Sequence, residues 1–188
     1  MDEMTELVIE EFREKTAKAI EHVKTDFGSV RTGRATPALI EGLQVDYYGS
    51  MTPLKSLASF NVPEARLLQV IPFDKSAMAA IEKAISASDL GINPSNDGQV
   101  IRLAFPPLTE ERRKEMVKVV RQKAEEGKVQ VRNLRRSARQ ELDALEKDSS
   151  LSSDEKERAE KDLEKITTSG IDAIDELLGH KEKELLDV

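Results

Sequence analysis

The sequence predicts an α+β protein, an elongated antiparallel three-helix bundle carrying a small, β-rich α/β domain inserted within it. Three observations carry this expectation. Charged residues make up 35% of the 188 and aromatic residues only 4%, with no Trp; that composition suits long two-sided helices better than a round core. Apolar residues recur at helical spacing in three long stretches towards the two ends of the chain. Between the first and second stretch the helical period gives way to short β-prone runs broken by Pro and Gly.

The first helix is expected from about Asp2 to about Ser29. Met4, Val8, Phe12, Ala19, Val23 and Phe27, with Val30 beyond, fall at steps of three and four or their multiples, and Gly28 is the first Gly or Pro. The second long helix is expected from Thr109 to about Asp148. Its stripe is Met116, Val120, Ala124, Val131, Leu134, Ala138, Leu142 and Leu145. Thr109 suits the N-cap, and Glu110 and Glu111 suit the positive end of the dipole. The third is expected from about Ser153 to Leu186. It opens on a capping signal, Ser152 to Glu155, and carries Ala159, Leu163, Ile166, Ala173, Ile174 and Leu177 on one side. Narrow stripes like these need each other, so the three helices bury them together as a bundle. At ~1.5 Å per residue they are roughly 40, 60 and 50 Å long. If the first helix ends where the second begins, its N-terminus falls beside residue 136. The rest of the rod would then be two-stranded.

The inserted region is 31–104, leaving 1–30 and 105–188 for the bundle. Strands are expected at Gln44 to Tyr48, Leu57 to Val62, Leu67 to Pro72 and Gln99 to Ala104, and a short helix over Lys75 to Ser88 capped by Asp74. Asn93 to Gly98 reads as a loop. The chain leaves the bundle through Arg31, Thr32, Gly33 and Arg34 and returns through Ala104, Phe105, Pro106 and Pro107. Those eight residues are the expected hinge, two short connections with limited freedom.

Enzyme chemistry finds no footing. There is no Cys, and the two His, His22 and His180, lack a nucleophile or ligand-spaced partner. The carboxylates sit on solvated helix faces, and no phosphate-cradling glycine loop exists. No catalytic residue, metal site or cofactor is expected. Gly127 and Gly170 fall on apolar stripes, where close helix approach explains them. The acidic start, Met-Asp-Glu-Met, and the lack of a run of about 18 apolar residues suggest the cytosol and no membrane partner.

The net charge of −7 argues against RNA as a partner until its distribution is read. Residues 105–148 hold 12 basic and 9 acidic side chains; residues 149–188 hold 6 and 12. At ~100° per residue, Lys114, Lys118, Arg121, Lys128, Arg132, Arg135, Arg136 and Arg139 lie within about 60° of one line on the second helix. Like charges at i+4 repel by a few tenths of a kcal/mol. One reading is a solvated face paired with the acidic first and third helices. The other is a phosphate-tracking surface, for which the planar guanidinium fork is well shaped.

Five segments in order resemble the ribosome recycling factor family: RTGRA from Arg31, YYG followed by TPL from Tyr47, EKAISASDLGINP from Glu82, PPLTEERRK from Pro106 and VRNLRR from Val131. The resemblance implies a monomeric two-domain L of transfer-RNA dimensions. It implies binding to the large ribosomal subunit and its ribosomal RNA in the post-termination complex, and joint action with elongation factor G. GTP hydrolysis by that factor would then split the subunits and release messenger and transfer RNA. The arginines of the second helix become the RNA contacts, and Arg31 and Arg34 hinge residues, RNA contacts or both. Two other classes compete on the residues alone: a charged coiled-coil adaptor that binds protein, and a hydrolase hidden in the inserted domain.

Overall fold

A computed structural model describes residues 3–187. Four α-helices are present among them: α1 Glu3–Gly28, α2 Met78–Ser86, α3 Glu110–Lys147 and α4 Ser153–Leu186. Asp2, where the first helix is expected to start, lies outside the described residues. The long helices stand within a residue or two of their expected ends, and their caps are the expected ones. The Thr109 hydroxyl accepts the Arg112 amide at 3.2 Å. Ser152 and Glu155 form a full capping box, each side chain accepting the other's backbone amide.

Helices α1, α3 and α4 bury their stripes against each other. Val8, Phe12, Ala19, Val23 and Phe27 of α1 are all buried, as are Val120, Ala124, Val131, Ala138 and Leu142 of α3. Met4 is the exception in the predicted α1 stripe, 51% exposed, and Met116, Leu134, Leu145, Ile166, Ala173 and Leu177 of the other two stripes are half-buried. Thr5, Thr16, Thr167 and Lys181 are buried instead of apolar residues. Gly127 and Gly170 are close-approach points: a Cβ on Gly127 would collide with Val23, and one on Gly170 would stand 2.9 Å from Thr16 Cγ2.

The expected register of α1 on α3 is wrong. A shared end would put Val23 near residue 114, yet Val23 meets Gly127, roughly 13 residues or ~20 Å further along. Val8, Ile9 and Phe12 accordingly pack with Ala138, Leu142, Leu151, Ala159 and Leu163. All three helices therefore contribute to the core as far as the α3–α4 turn, and no two-stranded section follows residue 136. The reason lies at the start of α3, whose first buried residue is Val120.

Described residues before Gly28 and after Met116 form one compact unit, and Gly28–Met116 forms the other. In the latter, β1 (Gln44–Tyr47) and β2 (Ser50–Pro53) make a hairpin. Strands β3 (Ala58–Glu64), β4 (Leu67–Pro72), β5 (Ser95–Asn96) and β6 (Ile101–Ala104) form an antiparallel sheet in the order β3-β4-β6-β5. Two of these strands, β2 and β5, go beyond the sequence reading, and β5 lies in the segment expected to be a loop. Ile40, Val45, Leu54, Leu68, Val70, Ile81, Ile85, Ile101 and Leu103 are fully buried in one core that joins both β-layers to α2. Asp74 accepts the Ser76 amide at 2.9 Å and starts a 3₁₀ turn, Lys75–Ala77, that leads into α2.

Candidate nucleic-acid interface

The eight predicted cations all project from α3, and the structure divides them into two rows. Taking Arg132 as zero at ~100° per residue, Arg121 and Arg139 lie near −20°, Lys128 near −40° and Arg135 near −60°. Each of these four reaches across to a carboxylate of α4. Arg121 meets Glu182 at 2.5 Å, Arg135 meets Glu164 at 2.6 Å and Arg139 meets Glu160 at 3.0 Å, while Lys128 pairs with Asp175. Glu182 also holds the Arg121 guanidinium proton more firmly than usual, chiefly through their hydrogen bond.

The second row stands at zero and above. Lys114 and Arg132 lie near 0°, and Lys118 and Arg136 near +40°. None of them meets α4. Lys114 pairs with Glu110 one turn back at 3.0 Å, and Arg132 with Glu125 at 3.1 Å, both on α3 itself. Lys118 and Arg136 are exposed and have no ionic partner among the described residues. The bland reading of a paired face thus holds for half the cations, and only with α4; none of the eight pairs with α1.

The sequence reading has the acidic third helix as one possible partner of the basic face but does not say which of its acids take part, although a signal is present. Glu160, Glu164, Asp175 and Glu182 fall within about 60° of one another on a helical projection, an acidic band narrower than the basic one. Surface pairs of this kind are worth at most about 1 kcal/mol each. Lys128 is the least exposed member, its side chain 16% accessible. The bundle therefore does not depend on these pairs, and a competing anion can replace a carboxylate at modest cost.

The expected hinge residues all fall inside the Gly28–Met116 unit. Arg31 is turned inward. It donates to the Pro106 carbonyl at 2.6 Å and lies 5.9 Å from the centre of the Phe105 ring. Burial, and then the charge of Arg112, lower its hold on the proton. Phe105 is buried and its amide donates to the Arg66 carbonyl at 2.8 Å. Gly33 has φ +89°, a left-handed turn that L side chains rarely adopt. Thr32 is half-buried, whereas Arg34, Ala104, Pro106 and Pro107 are exposed. Arg31 is thus a latch between two connections, and Arg34 is the arginine of this pair that faces solvent.

Among the described residues no cluster of His, Asp or Glu is arranged to hold a metal ion. None of their helices is long and apolar enough to cross a membrane.

A family model described as ribosome recycling factor matches residues 23–186. A ribosome-recycling factor of Kineococcus radiotolerans is 56% identical over 178 residues, covering 95% of this chain and 96% of the relative. That of Thermobifida fusca is 54% identical over 185 residues, covering 98% and 100%. A solution structure of the ribosome recycling factor aligns over 100% of both chains at 42% identity with a TM-score of 0.80. A second structure has the Thermus thermophilus factor with Escherichia coli elongation factor G on the post-termination complex. It aligns over 97% of this chain and 99% of that one, at 46% identity and a TM-score of 0.69.

Proposed function

The chain belongs to the ribosome recycling factor family, and from that premise we propose that the solvent-facing row of α3 binds it to the RNA of the large ribosomal subunit. The protein is a translation factor and not an enzyme. It acts after termination, on the post-termination ribosome and with elongation factor G, in the recycling of the subunits. GTP hydrolysis by the elongation factor supplies the energy. The work is done in the cytoplasm, by a monomer. The coiled-coil adaptor and the hidden hydrolase fall away with the family assignment.

One observation carries the RNA contact. Lys118, Arg132 and Arg136 form a cationic edge that no α4 carboxylate covers, on a protein whose net charge is −7. A protein this acidic is repelled by RNA at long range, so the attraction must come from a local array. Guanidiniums in a row along one helix suit a phosphate backbone, each able to take two phosphate oxygens. Arg135 and Arg139 join the contact once their α4 partners are displaced, Lys128 and Arg121 likewise, and Lys114 extends the row. Arg34 is a further contact, while Arg31 serves by latching the connections at Arg31–Arg34 and Ala104–Pro107. In this reading residues 31–104 are the part that the elongation factor moves.

The test is direct. The double substitution Arg132→Ala with Arg136→Ala weakens association with isolated large subunits and flattens the log–log salt dependence by about one to two units. Polysome breakdown with elongation factor G and GTP slows in parallel, and the helical circular dichroism stays unchanged. Wild-type affinity in the double variant would reduce the edge to a solubility feature.

A further inference from the structure

The pairs of α3 cations with α4 carboxylates form a ladder in two runs, between which α3 advances seven residues and α4 eleven. Arg121–Glu182 and Lys128–Asp175 step by seven along both helices, and Arg135–Glu164 and Arg139–Glu160 step by four. An α4 carboxylate thus stands beside each of the four cations of the first row, whereas in the second row Lys114 and Arg132 meet only acids of α3 itself and Lys118 and Arg136 meet none among the described residues. The arginine side chains in these pairs remain 38% to 62% exposed. They are open to water and to other anions.

We propose that this row, Glu160, Glu164, Asp175 and Glu182, is a built-in counterion that competes with RNA phosphate for half of the cationic surface and so limits how tightly, and for how long, the chain holds the large subunit. The inference rests on the reading that α3 binds ribosomal RNA. A phosphate approaching Arg135 meets a guanidinium already engaged at 2.6 Å and a second anion, Glu164, behind it. Binding there requires a swap of partners in place of a release of dilute salt ions. A phosphate approaching Arg136 meets neither obstacle. The surface is therefore graded: Lys118 and Arg136 give an always-available grip, Arg132 with its partner Glu125 on the same helix an intermediate one, and the laddered residues a weaker one. Tuning of this kind acts chiefly on the dissociation rate, which suits a factor that must leave the subunit after each round.

Glu160→Gln with Glu164→Gln keeps the size of both side chains and frees Arg135 and Arg139. The control is Asp172→Asn with Glu176→Gln, the same change of charge on the same helix, where among the described residues the only ion pair is Glu176 with His180. Binding to isolated large subunits is measured across a salt series, together with dissociation on dilution. The first variant is expected to bind about three- to tenfold tighter at a given salt concentration, with a slope steeper by about one to two units and slower release. The control should move far less. Equal effects in both variants would reduce the ladder to bulk charge and overturn the proposal, as would weaker binding in the first variant. Should the double variant lose helical content, Glu164→Gln alone carries the same test at half the effect. If Arg132→Ala with Arg136→Ala also binds like wild type, the RNA-binding reading itself has failed. If that variant binds weakly while Glu160→Gln with Glu164→Gln changes nothing, only the ladder proposal is lost.

Discussion

Gly127 shows what a single residue can settle in a bundle of thin helices. It is buried in the middle of α3, and its missing Cβ is the space into which Val23 of α1 projects. In an exposed helix, Gly→Ala gains about 1 kcal/mol from reduced backbone freedom. Here the added methyl has to push α1 away, and overpacking of this kind costs about 1–3 kcal/mol. Gly127→Ala is therefore expected to lower the urea unfolding free energy in spite of its better propensity. Placing Val23→Ala in the same chain should restore part of the loss, giving a coupling between the two sites in a double-mutant cycle. Strict additivity would mean that the two residues do not share the space. The position of Gly127 on an apolar stripe is legible in the sequence. The identity of its neighbour is not, because that depends on the sliding register of α1, for which a repeat of Val, Ala and Leu carries little information.

At the scale of elements, local chemistry was legible and long-range pairing was not. The Thr109 cap, the Ser152 capping box and the Asp74 turn each satisfy backbone groups within three residues of themselves, so a short window of sequence contains the whole interaction. Strands β3, β4 and β6 also showed themselves, since each holds residues of the core. Strands β2 and β5 did not: neither has a buried residue, and both exist through ladders to β1 and β6. The turn between β5 and β6 supplies the missing local anchor. Asp97 accepts the amides of Val100 at 2.9 Å and Gln99 at 3.0 Å, and meets Arg102 at 2.8 Å. Those amides first, and then the Arg102 hydrogen bond, pull its carboxyl down from 3.8 to about 2. The folded value lies below the unfolded one. The contribution of Asp97 to the hairpin is therefore full above the unfolded value and is lost as pH falls towards 2. In an NMR titration the Val100 amide should shift with a midpoint near 2, and Asp97→Asn should remove that step. A midpoint near the ordinary 3.8 would mean the turn is not held this way.

Over the whole molecule, the sequence separated the cationic helix from its acidic neighbours but could not say which cations the neighbours neutralise. A helical projection fixes angles within one helix; which acid meets which base depends on how α3 and α4 are rotated against each other. The same distinction applies to the cores. Residues 35–105 supply one apolar cluster, with Leu68, Val70, Ile101 and Leu103 at its centre. A second cluster draws only on α1, α3, α4 and Leu151 of the α3–α4 turn, with Leu142 and Leu163 fully buried. No residue belongs to both. Free energy lost from one cluster should then stay within its own unit, as opening proceeds in cooperative segments. Leu68→Ala leaves a cavity under β4 and is expected to cost about 2–5 kcal/mol. In native-state hydrogen exchange, amides of β3, β4 and β6 should lose protection by that amount. Amides around Val131 and Ile174 should keep theirs. Equal loss in both sets would show that the chain opens as one cooperative body and that the two clusters are energetically coupled.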